Sequence, residues 1–385
     1  MPEPHPRRVA APPAGVVVLL SGDDAMRSGH ELASRTAMAR RLAALLGYAF
    51  AGEYDAAAAY TGHVYFVPRR TLLGDAAARL GIRGERDLFG GVVPDPFVAN
   101  KSITHGVVDA DAQVPPGWSH ALERRLIGVV LPGYSAFRAD DARRAGRRLL
   151  EHARVRIKPA HQLGGNDQSV VGDGDALDAA IDALDARELA EHGVVLEENI
   201  ESPTTYSVGE VHVGDLRIAY HGTQHTTPDV RGRDVYGGSD LRIVRGTLAD
   251  LLRLDLGPGV RRAVEQAAAY DRAVAEEYPG FFASRRNYDV VQGADRSGEV
   301  LSGVLEQSWR IGGASPAEIA ALEAFRADPA LRAVRASTHE SHAPVEPPPG
   351  ADVYYRGAGA DDGPMLKYSL IEIDTIEANS DGSTA

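Results

Sequence analysis

The sequence has no cysteine among its 385 residues. That excludes disulfide bonds, cysteine-ligated zinc and a thiol nucleophile, while leaving the cellular compartment open. It also lacks any apolar run of transmembrane length, so no membrane partner is expected. Positive charge is short: 41 Lys and Arg stand against 54 Asp and Glu, a net charge of −13. Such a balance argues against a general nucleic-acid binder or a protein of anionic membranes, and a polyanionic ligand would need a locally basic pocket. No internal repeat is visible. With 44% hydrophobic and 25% charged residues the chain reads as soluble and globular, and its length calls for two or three lobes rather than one core.

The opening residues carry Arg7-Arg8 before an apolar patch, but Pro12-Pro13 interrupt the patch and no small-residue cleavage site follows it. Residues 1–14 are therefore expected to be a disordered leader, and the location cytoplasmic. Val16 to Leu20 is apolar throughout, as suits a strand buried on both faces. Arg27 to Leu46 has helical apolar spacing and stops at Gly47. Strands at 48–50 and 64–67 and a helix over 72–80 complete an alternation that predicts a small parallel α/β domain over 15–100. Gly90 to His105 reads as a hinge loop whose only lysine is Lys101, and a short helix follows near 119–126. A strand over 128–131 with a turn at Pro132-Gly133, then helices over 140–152, 176–192 and 259–278, are expected further on.

Two stretches carry chemistry. In the first, Tyr288 to Ser315, an apolar strand holds Asp289, the polar turn Asp295-Arg296-Ser297-Gly298 reverses the chain, and Val300 to Ile311 returns. Pairing brings Asp289 near Glu306, and two such carboxylates repel unless a cation lies between them; hard divalent ions prefer oxygen ligands of this kind. Arg310, four residues beyond Glu306, is placed by strand alternation on the same face, where it could neutralise phosphate. The alternative is a surface ion-pair ladder. In the second stretch, Arg154 to Asp173, a strand ends in Lys158-Pro159, and the loop after it contains Gly164-Gly165. A lysine and glycine backbone can hold phosphate together, by charge and by N–H groups. An ordinary turn with a surface lysine is the bland reading.

Taken in order, these stretches resemble the ATP-grasp superfamily, in particular its bacterial biotin-carboxylase-like and carboxylate–amine ligase-like branches. Lys158-Pro159 with Gly164-Gly165 is similar to the superfamily's phosphate loop. Glu306-Gln307-Ser308-Trp309-Arg310 is similar to its metal-strand pattern, with Ser308 in place of the usual Asn. Val194 to Glu201 looks like its adenine-side linker strand. The resemblance implies an α/β fold of mixed α+β character: an ATP-grasp body over 101–338 with a lid at about 135–199, preceded by the small parallel domain. Lys101, Lys158, Gly164, Gly165, Glu197, Asn199 and Glu201 would contact ATP. Asp289, Glu306 and Ser308 would hold one or two Mg²⁺, with Mn²⁺ as a substitute, and Arg310 and Lys158 would act in phosphoryl transfer. It implies a ligase that activates a small-molecule carboxylate as an acyl phosphate for attack by an amine or other nucleophile. A kinase, a biotin-type carboxylase and a non-catalytic nucleotide binder are the alternatives, and the oligomeric state is left open.

The remaining readings are structural. A hairpin is expected at Gly214-Asp215, a polar loop over 221–240 and a strand over 241–244. His212, His221 and His225, like His339 and His342, have no metal-ligand spacing and read as solvent-exposed or hydrogen-bonded; for His225 the ATP-grasp resemblance also implies a substrate contact. Arg285 and Arg286 could reach phosphate or remain solvated. Trp309 is assigned to packing. Ser315 is expected to cap a helix with Pro316 in its first turn. Residues 339–385 read as a proline- and glycine-rich tail with one strand, 366–373.

Overall fold

The computed structural model describes residues 14–21, 29–160, 168–296, 298–359 and 363–373. Apart from Ala14, the expected leader lies outside them. The apolar run at the start forms β1 (Gly15–Leu20), and helix α1 (Gly29–Leu46) follows. The chain turns at Gly47, where φ of 70° is one that glycine adopts without cost. Strands β2 (Ala49–Glu53) and β3 (His63–Pro68) flank β1 in a parallel sheet of order β2-β1-β3. The small parallel domain expected from the sequence is thus present. Helix 72–80 is shorter than expected: Leu72-Leu73 form β4, paired with β5 (Gly91–Val93), and α2 spans Gly74–Arg79. The segment read as an open hinge is instead two tight turns, Pro96–Ala99 and Lys101–Thr104, with Phe97, Val98 and Ile103 buried. Ser119 caps α3 (His120–Arg125).

A second, four-stranded antiparallel sheet follows. It comprises β6 (Gly133–Ala136), β7 (Val155–Pro159), β8 (Ser169–Val171) and β9 (Val194–Glu198), in the order β6-β9-β7-β8. The strand expected over 128–131 is replaced by a single bridge from Val130 to Val304, and Gly133 opens β6 rather than closing a turn. Helices α4 (Ala139–Leu150) and α5 (Gly174–Asp182) pack Ala142, Ala145, Leu149, Leu177 and Ile181 onto this sheet. At Gly146 they approach so closely that a Cβ would meet the Leu177 side chain at 2.5 Å. The expected helix over 176–192 is two, because Asp185 accepts from the backbone N–H groups of Arg187 and Glu188 and starts α6 (Ala186–His192) afresh.

The body is an eight-stranded sheet. Strands β10 (Glu201–Val213), β11 (Leu216–Pro228) and β12 (Asp234–Arg245) form a meander, with the expected hairpin at Gly214-Asp215. The polar loop expected over 221–240 is largely strand, since β11 and β12 continue to Pro228 and from Asp234. After α7 (Leu248–Leu251) and α8 (Pro258–Glu277), β13 (Phe282–Ala283) pairs with β5 and ties the first domain to the body. Strands β14 (Arg285–Ala294) and β15 (Val300–Ser308) then form one end of the sheet. Helix α9 (Ser315–Ala327) has Pro316 in its first turn, but Ser315 is inside the helix rather than capping it; its hydroxyl accepts from the Gly312 N–H. The expected tail contributes three strands rather than one: β16 (Ala333–Ser341), β17 (Asp352–Ala358) and β18 (Pro364–Ile373) complete the order β15-β14-β10-β11-β12-β16-β18-β17.

Strand alternation sends Val208 and Ala219 toward α8, and Val211, Ile218 and Tyr220 toward α9 and α1. Both faces of the central strands are therefore covered. No described helix is long and apolar enough to cross a membrane.

Arg285 on β14 and Glu318 on α9 fasten one of these faces by a fully buried pair, Nη2 to Oε1 at 2.8 Å. Tyr220 Oη donates to the same carboxylate at 2.6 Å. Removing one member leaves the other charged and dry, which typically costs about 3–5 kcal/mol. Glu318→Ala is expected to lose stability on that scale in urea unfolding; a loss below about 1 kcal/mol would contradict the assignment.

Candidate functional site

Register sets the first half of the site. Asp289 on β14 stands opposite Glu306 on β15, as expected from the sequence. The next pair is Val290 with Val304, so Leu305 is the extra residue of a β-bulge. A bulge re-aims side chains, and here Leu305 and Glu306 both line one cavity, whereas Val304 turns into the core. Lys101 reaches Glu306 Oε2 from the adjoining turn at 2.8 Å, with only 5% of its side chain exposed. That turn is pinned twice: Asn100 Oδ1 accepts from Ser102 N–H at 2.9 Å, and Gln307 Nε2 donates to the Asn100 carbonyl at 2.7 Å. Gln224 Nε2 donates to Asp289 Oδ1 at 2.7 Å. Burial and the repulsion of Glu306 push the Asp289 carboxyl up to about 7, against the pull of Arg285, Gln224 and Lys101.

The smaller antiparallel sheet supplies the other half. Lys158, near the end of β7, is paired across the sheet with Glu197 on β9, both buried. His105 Nε2 lies 3.3 Å from the other oxygen of that carboxylate. Burial alone would raise the Glu197 pKa, but Lys158 and His105 outweigh it and hold it at about 2. Arg156, two residues before Lys158 and on the same strand, faces the cavity and donates to Asn199 Oδ1 at 2.7 Å.

Between the two sheets lies a cavity of about 740 Å³. One end is charged, with Lys101, Lys158, Glu197, Asp289 and Glu306; the other is apolar, with Leu131, Ile200, Val291 and Leu305. Five residues expected at the site are thus brought together. Asn199 is not among the cavity residues: its side chain is taken by Arg156. Glu201 is exposed at the start of β10. Ser308 turns from the cleft, and its hydroxyl accepts from Arg285 Nη1 at 3.3 Å. Arg310 is also displaced. Strand alternation cannot carry it to the face of Glu306, because β15 ends at Ser308, and it lines a second cavity instead. Gly164 and Gly165 lie outside the described residues.

Arg285 and Arg286 are held by Glu318 and by Glu85 with Asp271, away from the cleft. Lys101, far from being a solvated loop residue, is buried. His105, Arg156, Gln224 and Tyr236 belong to the site without any motif marking them; only the polar alternation of Gln224 and Thr226 along β11 hinted at a wet face. His225 does line the cavity. Among the described residues no three His, Asp or Glu side chains converge on one point. Asp289 and Glu306 nonetheless fit a divalent ion that takes its remaining ligands from phosphate and water: they are oxygen donors on neighbouring strands, and their mutual repulsion shows in the raised Asp289 pKa.

A family model described as "Protein of unknown function (DUF3182)" matches residues 18–369. No curated protein matches the chain. Among solved structures, it is similar to D-alanyl-alanine synthetase A from Vibrio cholerae, with 14% identity and a TM-score of 0.45 over 76% of this chain and 88% of that one. It is also similar to phosphoribosylamine–glycine ligase from Thermotoga maritima, with 13% identity and a TM-score of 0.46 over 93% and 92%.

The raised carboxyl has a measurable consequence. Asp289 binds its proton more tightly folded than unfolded, so its stabilisation is complete at acid pH and is lost as pH rises through about 7. From roughly pH 4, the unfolded value, upward, the loss is at most about 1.4 kcal/mol per pH unit. Asp289→Asn should remove that slope in metal-free buffer; identical pH dependence of unfolding in the two proteins would refute the shift.

Proposed function

We propose that this chain, which belongs to the DUF3182 family, is an ATP-dependent ligase that activates a carboxylate. One observation carries the reading: Lys158 from the smaller sheet, Lys101 from the turn at 101–104 and two facing carboxylates from the larger sheet line the same cavity beside an apolar end. A nucleoside triphosphate has that polarity, with a flat apolar base and a polyanionic tail. Leu131, Ile200, Val291 and Leu305 suit the base. Lys158 and Lys101 suit the phosphates, Lys158 being oriented by Glu197 and His105. Gly164 and Gly165 are assigned to the same phosphates through their backbone N–H groups. Asp289 and Glu306 would hold Mg²⁺, which when bound supplies charge neutralisation to the phosphate oxygens.

The chemistry asks mainly for positioning and charge stabilisation. An acceptor carboxylate oxygen bonds to the γ-phosphorus as the bond to the β–γ bridging oxygen breaks, releasing ADP and leaving an acyl phosphate. An amine then attacks the acyl carbon, phosphate departs, and the amine proton goes to solvent. An ionised carboxylate needs no general base. Lys158 and Lys101 balance the charge that builds on the transferred oxygens.

Glu306→Gln should lower acceptor-dependent ADP release by at least about 100-fold, measured below a melting temperature that also falls because buried Lys101 loses the charge of its partner carboxylate. Unchanged ADP release would overturn the assignment. Hydroxylamine should trap a hydroxamate from the acyl phosphate; turnover without hydroxamate would indicate phosphoryl transfer to a hydroxyl instead.

A further inference from the structure

The aliphatic end of the cavity between the two sheets has an arginine beside it. Strand β7 turns Val155 and Ile157 into the core under α4 and α5, and so sends Arg156 and Lys158 to the other face, where both line the cavity. Lys158 serves the charged end with Glu197. Arg156 lies two residues back, about 7 Å at the rise of a strand. Its bond to Asn199 fixes which end it serves, because the next residue in the chain is Ile200, one of the aliphatic lining residues.

Arg156 is gripped by its edge. Nη2 donates to Asn199 Oδ1 at 2.7 Å, and Nη1 donates to Gln168 Oε1 at 3.2 Å. A guanidinium can only donate, so both amides must turn their oxygens toward it. Asn199 is itself immobilised: it is buried, and its backbone N–H donates to the Arg154 carbonyl at 2.8 Å. Two acceptors, one just past β9 and one just before β8, therefore restrain both terminal nitrogens and with them the tilt of the plane. Both bonds lie along the rim of the group and neither uses its faces. A guanidinium held in this way offers a flat, oriented surface of the kind that attracts a π-system.

The aliphatic end provides no other flat surface. Leu131, Ile200, Val291 and Leu305 are branched aliphatics. Among the described residues the cavity's two aromatic rings, His225 and Tyr236, are on β11 and β12, separated from Val291 on β14 by the intervening β10.

We infer that Arg156 recognises the base of the nucleotide, its guanidinium face stacking on the purine while the four aliphatic side chains cover the rest of the ring. This rests on the nucleotide reading of the cavity, and adds the residue that distinguishes a flat aromatic base from a polyphosphate alone. A mere tie between β7, β8 and β9 would act on every ligand alike.

Calorimetric titration of the full chain with ATP and with inorganic tripolyphosphate, each with excess Mg²⁺, separates base from phosphate. The parent should bind ATP more tightly than tripolyphosphate. Arg156→Met, which keeps the length of the side chain and removes its plane, should lower ATP affinity by at least about 10-fold and leave tripolyphosphate affinity within about 2-fold. Arg156→Lys retains the charge without the plane and should lose ATP affinity in the same way. Preserved tripolyphosphate binding also reports an intact fold, since Lys158 is on the same strand. Equal losses for the two ligands would make Arg156 a phosphate contact or a strand tie and overturn the inference. Parental ATP affinity in either variant overturns it too, as does a parent that binds the two ligands equally well. A parent that binds neither refutes the nucleotide reading itself, and the inference with it.

Discussion

Charge held out of water is the constraint to which the rest of the molecule answers. Lys101, Lys158, Glu197 and Arg285 are each nearly sequestered from solvent, and a lone buried charge costs several kcal/mol. Each is therefore matched. Glu306 answers Lys101, Glu197 answers Lys158 with His105 in support, and Glu318 answers Arg285. The matching explains features with no other obvious purpose. Gln307, facing away from the cleft, fixes the turn that delivers Lys101. Tyr220 spends its hydroxyl on Glu318. Asp289 is the exception: among the described residues its hydrogen bond comes from the neutral Gln224 amide, and burial beside Glu306 makes its carboxyl hold a proton far more tightly than usual.

How much of this was legible in the sequence depends on whether the local pattern had one interpretation. The hairpin carrying Asp289 and Glu306 was readable from the apolar runs on both sides of a D-x-x-G turn, but that the two carboxylates face each other depends on the bulge at Leu305, without which Asp289 would stand opposite Leu305. Lys158 was readable because it ends an alternating strand. Arg310 was misplaced by carrying the same alternation past the point where β15 stops, a boundary that Trp309, itself a strand-former, did nothing to mark. The outer halves of β11 and β12 read as loop because strand identity was being inferred from a buried face, and there one face lines a polar cleft. The last three strands were concealed in a similar way by the proline-rich connection 343–349, whose composition spread its character over its neighbours.

His105 and Glu197 show a different limit. Nothing in either local sequence distinguishes a histidine that steadies a buried carboxylate from one in solvent. Their meeting, 92 residues apart, is decided by how the turn at 101–104 packs against β9. The division of the chain follows a similar logic: the small antiparallel sheet has its own apolar core with α4 and α5, yet its buried lysine, Lys158, lines a cavity shared with a carboxylate pair on the other sheet.

The bulge at Leu305 also governs what lies beyond the rim of the sheet. Val129 O accepts from the Val304 N–H at 2.9 Å, and Val130 bridges Val304 beside the irregular residue, so the outward side of β15 is covered by the connection to the smaller sheet where the ladder is already broken. A strand that is both kinked and roofed makes a poor template for another. The opposite margin, β17, is also irregular, between Val353 and Tyr355, but among the described residues no strand or bridge pairs with its outer side. Any growth of this sheet, whether by a further segment or by a neighbouring molecule, is thereby steered to the end remote from the cavity between the two sheets, and self-association of that kind would leave entry to that cavity clear.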